Sequence, residues 1–441
     1  NTFEGGANFD DGYNIGGLVG NLDASTMVNA NYAGRVVVGN ANNNSVSTKL
    51  NVGGIVGYAN SSNLNVVMNN YYNTLNNTSP ELKIINKNIN VYNATTNLQT
   101  TVGGVAGFIN NSIITGNNNN NITSGNASNI NATVNGGTLD VGGIIGYARN
   151  SNNRNGILRA YNQGYIRAFN NSTTASNLNV GGVAGTIIGG KYEDVFNIGD
   201  IAIKTNNNYS VGGLFGKTSL STSEKEGMIN NFISYGDIYV NASVPNTNKF
   251  IGGVVGSITS NAIRFSNGYT LTRVFNAKNA NDDDLFISNN GTFATNEFIN
   301  GIGHIQSFDV AMFDKVFYIH EFFPYTNTKN LLNGTTEIGK VIISAKSDSV
   351  KFGGISYGNL IENDSSSNLL LAYLQTGNNS GNFSRLETTI KIPYLQNVIP
   401  VNVVYREMEA NNIASSGNKL NPEIISSASN QTSVRKDILA N

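Results

Sequence analysis

Cysteine is absent from the 441 residues, so neither disulfides nor thiolate metal sites hold this chain together. Charge is scarce as well. Only 12% of residues are Asp, Glu, Lys or Arg, and the formal net charge is −1. Recognition of a nucleic-acid backbone needs a basic stripe that displaces counterions, and the sequence has none. The same lack argues against binding to an acidic membrane surface. No apolar run reaches the roughly eighteen residues from which a membrane-spanning helix is read. The chain opens at Asn1, with no initiator Met and no charged-then-apolar leader. It therefore reads as an internal or processed piece of a longer protein, with the export signal and any anchor lying outside it. Proline is rare, at 6 residues, and histidine occurs twice.

What is abundant is small, polar or β-branched. There are 49 glycines, asparagine is the commonest residue, and 39% of the chain is hydrophobic. The apolar share excludes simple disorder. Ile, Val and Leu recur in short alternating runs of the kind that bury one face of a strand. Repetition dominates the arrangement. The unit [IV]-G-G-[LIV]-[VAIF]-G begins at Ile15, Val52, Val102, Val141, Val180, Val211 and Ile251. Its glycines are Gly16, Gly17 and Gly20; Gly53, Gly54 and Gly57; Gly103, Gly104 and Gly107; Gly142, Gly143 and Gly146; Gly181, Gly182 and Gly185; Gly212, Gly213 and Gly216; and Gly252, Gly253 and Gly256. Successive first glycines are 31 to 50 residues apart. A looser block follows several units, as in Tyr161-Asn162-Gln163-Gly164-Tyr165-Ile166 and Phe196-Asn197-Ile198-Gly199-Asp200-Ile201. It reads as a bend followed by a strand.

In Val-Gly-Gly-Ile the two apolar residues would face opposite sides of a flat strand. Both point inward only if the glycine pair bends the chain, which glycine allows through positive φ or by having no Cβ in the way. Stacked corners of this kind imply a parallel β-solenoid, right-handed because parallel crossovers are. Two turns of ~20 residues per repeat would give a rod roughly 65 Å long. The expected organisation is a β-solenoid over residues 1–275 and a C-terminal cap or second domain, mainly β or α+β, over 276–441. In that second part Phe352-Gly353-Gly354-Ile355 is at best a decayed repeat. The Asn-rich insertions, Asn40 to Ser45, Asn111 to Ser128 and Asn150 to Asn155, read as solvated turns. The sharper reading places stacked Asn side chains inside the coil.

Reactive chemistry is thin. His320-Glu321 runs into Phe322-Phe323-Pro324, so the zinc-protease H-E-x-x-H is missing, and neither His320 nor His304 has a recognisable partner group. Both read as structural. The glycine pairs lack the Lys-Ser/Thr of a phosphate loop and read as architecture. Asp282-Asp283-Asp284 reads as an exposed acidic turn rather than a calcium loop. Tyr58, Tyr147 and Tyr161 read as stacking or coil-end residues in preference to a carbohydrate-contacting strip. No catalytic residue, metal ligand or cofactor is expected.

The seven Gly-Gly units, with second blocks such as Ser234-Tyr235-Gly236-Asp237-Ile238, resemble the GLUG-motif repeats of large bacterial surface proteins. The resemblance spans about residues 12 to 275. Proteins with such repeats include filamentous-haemagglutinin-like and autotransporter adhesins, and the non-catalytic N-terminal region of IgA-specific metallopeptidases. It implies an exported right-handed β-solenoid that serves adhesion or holds another domain away from the cell. The expected function is an extracellular adhesive stalk on a bacterial cell surface, and not an enzyme. Its partner is a host or bacterial surface protein or a glycan. An accessory region of a secreted peptidase, or a self-assembling filament subunit associating end to end, are the alternatives.

Overall fold

A computed structural model describes residues 12–39, 48–69, 89–94, 97–116, 124–151, 154–173, 176–197, 199–220, 227–242 and 249–270 with short breaks, and short strands beyond them as far as residue 355. The chain winds as a parallel β-solenoid of four sheets. Each full turn visits them in the order I, II, III, IV. The fourth turn shows the plan: Thr138–Gly142 in sheet I, Ile145–Arg149 in sheet II, Gly156–Asn162 in sheet III and Ile166–Asn170 in sheet IV. Among the described residues, pairing between turns is parallel, and Thr292–Phe293 against Val274–Asn276 is the antiparallel exception.

Each repeat makes one turn, not the two expected. Every Gly-Gly unit contributes a single strand to sheet I, and seven such strands stack there. At ~4.8 Å between strands the seven turns rise roughly 30 Å, about half the predicted length. Four short strands per turn give the coil a wider cross-section than two ~20-residue turns would have.

The interior is filled by rows of like residues, one per turn. Val52, Val102, Val141, Val180, Val211 and Ile251 lie in register in sheet I. Just past each corner follow Ile55, Val105, Ile144, Val183, Leu214 and Val254, all fully buried. Both apolar positions of the unit thus enter one core, as the bend required. Sheet II continues the stack to Ile302–Ile305, and sheet III to Phe313–Ile319 and Phe352–Ile355. The Phe352-Gly353-Gly354-Ile355 segment runs straight along a sheet III strand rather than turning a corner.

The corner glycines are needed for space and not for handedness of the backbone. The described glycines with positive φ are Gly12, Gly39, Gly137, Gly156, Gly189 and Gly190, none of them in a repeat unit. A Cβ on Gly53 would lie 1.9 Å from the Val56 carbonyl oxygen. One on Gly143 would lie 2.1 Å from Gly182 O of the next turn and 2.2 Å from Asn162 Cγ.

That second contact joins the two halves of the repeat. Asn69, Asn126, Asn162 and Asn197 stack inside the coil at the end of sheet III. Each Nδ2 donates to the Oδ1 of the next, at 3.0, 2.8 and 2.9 Å. The column continues with Ser234, which is within 2.6 Å of Thr272 Oγ1. The second glycine of each pair gives the ladder room, and Asn69 and Asn197 also donate to Gly104 O and Gly213 O. The interior reading of asparagine therefore holds for Asn126, which lies within the Asn111 to Ser128 insertion, while residues 40–47 and 117–123 lie outside the described residues. Asn150 is buried too, accepting from the Ser112 N–H.

A second column sets the bend within sheet III. Asn29, Val66, Arg159, Asp194, Asn231 and Asn267, from each of the first seven turns except the third, hold φ between 53° and 64°. From the fourth turn on, the bulge they form lets one strand run on through the bend, so Leu158 pairs with Glu193 and Ala160 with Val195. Asn and Asp tolerate this left-handed region, whereas a β-branched Val is strained in it.

Candidate functional site: the groove between sheets I and II

The Gly-Gly corner is closed enough that the outer faces of sheets I and II confront each other. Contacts among the described residues cross the gap, joining a sheet II residue to a sheet I strand of the preceding turn or to the residue leading into it. Thr186 Oγ1 donates to Asp140 Oδ1. Ser257 Oγ and Ser210 Oγ are 3.0 Å apart. Lys49 Nζ sits 5.7 Å from the centre of the Phe108 ring. A groove of about 630 Å³ remains open along the solenoid axis from Gln99 to Gln306.

Its residues flank the repeat unit in sequence. The residue before each unit forms one column along sheet I, Asn51, Thr101, Asp140, Asn179 and Ser210 in successive turns, of which Asp140, Asn179 and Ser210 line the groove. The residue after each third glycine forms a column along sheet II, Tyr58, Phe108, Tyr147, Thr186, Lys217 and Ser257, of which the last four line the groove. Strand alternation turns both sets outward while the residue that follows each, such as Val52 or Ile109, points in. The aromatic part of the sheet II column is a stack. Tyr58 and Phe108 meet edge to face with centroids 5.2 Å apart, and Phe108 and Tyr147 do so at 5.0 Å. Such T-shaped pairs satisfy the ring quadrupole and fix each ring.

The sheet I column is a chain of hydrogen bonds along the axis. Asn51 Nδ2 donates to Asn14 Oδ1 at 2.7 Å, and Thr101 Oγ1 to Asn51 Oδ1 at 2.8 Å. Asp140 receives Gln99 Nε2 on Oδ2 at 2.7 Å, and Asn179 Nδ2 on Oδ1 at 2.8 Å. Burial of Asp140 raises its pKa above the ordinary carboxylate value, against the opposing pull of Thr186, Gln99, Asn179 and the charge of Lys217. Its side chain is a fixed hub whose negative charge is costly.

The repeat glycines form the floor of this corner. Gly16, Gly53, Gly103, Gly142, Gly181, Gly212 and Gly252 pair with one another in sheet I. Gly17, Gly54, Gly104, Gly143, Gly182, Gly213 and Gly253 occupy the bend against the interior column that runs from Tyr32 through the asparagines to Thr270. The third glycines sit in sheet II, packed on the preceding turn: a Cβ on Gly57 would lie 2.3 Å from Ile15 N. The tyrosines separate. Tyr147 lines the groove, Tyr58 stacks on Phe108 outside it, and Tyr161 is buried in sheet III. His304 pairs in register with Ser257 in sheet II, and His320 and Asp282 to Asp284 lie outside the described residues. Groups of three or more His, Cys, Asp or Glu side chains suited to a metal do not occur among the described residues. Among them, too, no helix is long and apolar enough to cross a membrane.

Sequence reasoning missed Asp140, Asn179 and Lys217. The signal for them was available in the columns on either side of the seven aligned units. The fold defines the chain as a parallel β-solenoid protein with an axial outer groove. No family model, curated protein or solved structure matches it.

Proposed function

We propose that this chain is a non-catalytic, adhesive stalk of a bacterial surface protein, exported and working outside the cell, with right-handed coils of the GLUG type. The observation that carries the reading is the seven-turn stack whose interior is filled by repeat residues and whose outer corner holds a groove along the axis from Gln99 to Gln306. Such a quasi-one-dimensional body offers reach and a long contact surface. Its groove chemistry is suited to holding a partner, since the walls carry amides, hydroxyls and aromatic rings.

The test is attachment. Full-length chain displayed on a non-adherent bacterium is expected to raise binding to host-cell monolayers, or to other bacteria, several-fold over cells displaying an unrelated β-protein. Equal counts on every surface would overturn the adhesive role.

End-to-end self-association is a second reading. Leu18 and Val28, both on the first turn, are exposed at 47% and 54%. Sedimentation velocity separates the two, with concentration-dependent growth supporting association and a fixed monomer refuting it.

A further inference from the structure

We propose that the groove between sheets I and II binds a neutral, unbranched hexose polymer lying along the solenoid axis. The inference rests on the adhesive reading and names its partner. It also departs from the expectation that Tyr147 is only a stacking residue.

The shape comes first. Turns are ~4.8 Å apart, about the length of one pyranose residue, so a linear glycan meets an equivalent wall position at each sugar. The wall chemistry repeats in step. Amides and hydroxyls such as Asn179, Asn208 and Thr259 alternate donors and acceptors that match the hydroxyls of a sugar. Tyr147 closes the aromatic row at the groove's edge and supplies an apolar surface for the C–H face of a ring, with a polar tip.

Other occupants fit less well. The groove walls are sheet faces whose backbone groups are used in the parallel ladders, so an extended peptide finds no free edge to extend. The groove lining holds a single cationic side chain, Lys217, and a single carboxyl, Asp140. A polyanion lacks the row of cations it needs. Asp140 serves the site by fixing Asn179 and Thr186, both of which line the groove.

The experiment is calorimetric titration of the full chain with cellohexaose, chitohexaose and hexagalacturonate. At least one neutral hexaose is expected to bind with Kd below about 1 mM. Tyr147→Ala and Asn208→Ala are each expected to weaken that binding about tenfold, the size of one lost aromatic or charge-free polar contact set. Lys204→Ala, on sheet IV, leaves it unchanged. Circular dichroism confirms that each variant retains the fold.

Three results overturn the inference: no heat from either neutral hexaose, affinity indifferent to both groove variants, or tighter binding of hexagalacturonate. The displayed chain separates the two proposals. Attachment that survives Tyr147→Ala refutes the groove and leaves adhesion standing. Hexaose binding without attachment by the wild-type chain refutes adhesion and leaves the groove standing.

Discussion

Replacing Asn162 by Ala removes the middle rung of the interior ladder. Its Nδ2 donates to Asn197 Oδ1 at 2.9 Å and to Gly164 O at 3.0 Å. Its Oδ1 accepts from Asn126 Nδ2 at 2.8 Å and from the Gly164 N–H at 3.2 Å. All of this is fully buried. The variant leaves Asn197 Oδ1 and the Gly164 N–H without these partners, and each buried orphan costs about 1–3 kcal/mol, giving about 4 kcal/mol in all. Asn69 provides the internal control. It donates to Gly104 O and to Asn126 Oδ1, but its own Oδ1 is buried without a hydrogen bond. After Asn69→Ala, Asn126 Oδ1 keeps the Ser128 N–H at 3.1 Å, and one standing orphan disappears. The cost is therefore about 1 kcal/mol. Asn162→Ser falls between the two, because Ser234 fills the same column farther along. Repeat arrays need not unfold in two states, so urea titration is paired with hydrogen exchange read by mass spectrometry over residues 160–170. Faster exchange there in Asn162→Ala is expected. Equal costs for Asn69→Ala and Asn162→Ala would refute the ladder as a source of stability.

Gly143→Ala places a Cβ against backbone of the next turn and is expected to cost more than about 3 kcal/mol or to prevent folding, whereas Gly227→Ala, whose nearest contact is the Ile263 side chain at 3.3 Å, stays within about 1 kcal/mol in the same urea titration. Val66→Asn relieves a β-branched residue held at φ 54° and is expected to stabilise by about 1 kcal/mol, seen as a higher melting temperature; a lower one refutes strain at that position. For Asp140 the folded-state pKa lies above the unfolded one, so the native state holds the proton more tightly. Stability from this group is thus fullest below the unfolded carboxylate pKa of about 4 and is lost as pH rises through the folded value. Asp140→Asn, with Gln99 turning its amide to present Oε1, is expected to flatten that decline and match or exceed wild type at neutral pH. Parallel pH profiles of the melting temperature for the two proteins would refute it.

The repeat, its strands and its corners follow from residue order alone. Val52-Gly53-Gly54-Ile55 forces a bend because alternation otherwise sends one apolar side chain into water, and seven copies of one bend stack. Only neighbours along the chain enter into that bend, so it is legible from residue order alone. The sequence did not determine how many sheets a turn visits, because Leu64 in sheet III and Val91 in sheet IV alternate with polar residues in the same way whether a turn has two faces or four. Nor did it determine why the second glycine is required. Gly143 is held against Asn162 across its own turn and against Gly182 of the next, 19 and 39 positions away in sequence, and only the closure and rise of the coil bring them together. The groove belongs to the same class of fact. Asp140 and Thr186 each flank a different copy of the unit, and they meet because every sheet II strand climbs beside the sheet I strand of the turn before it.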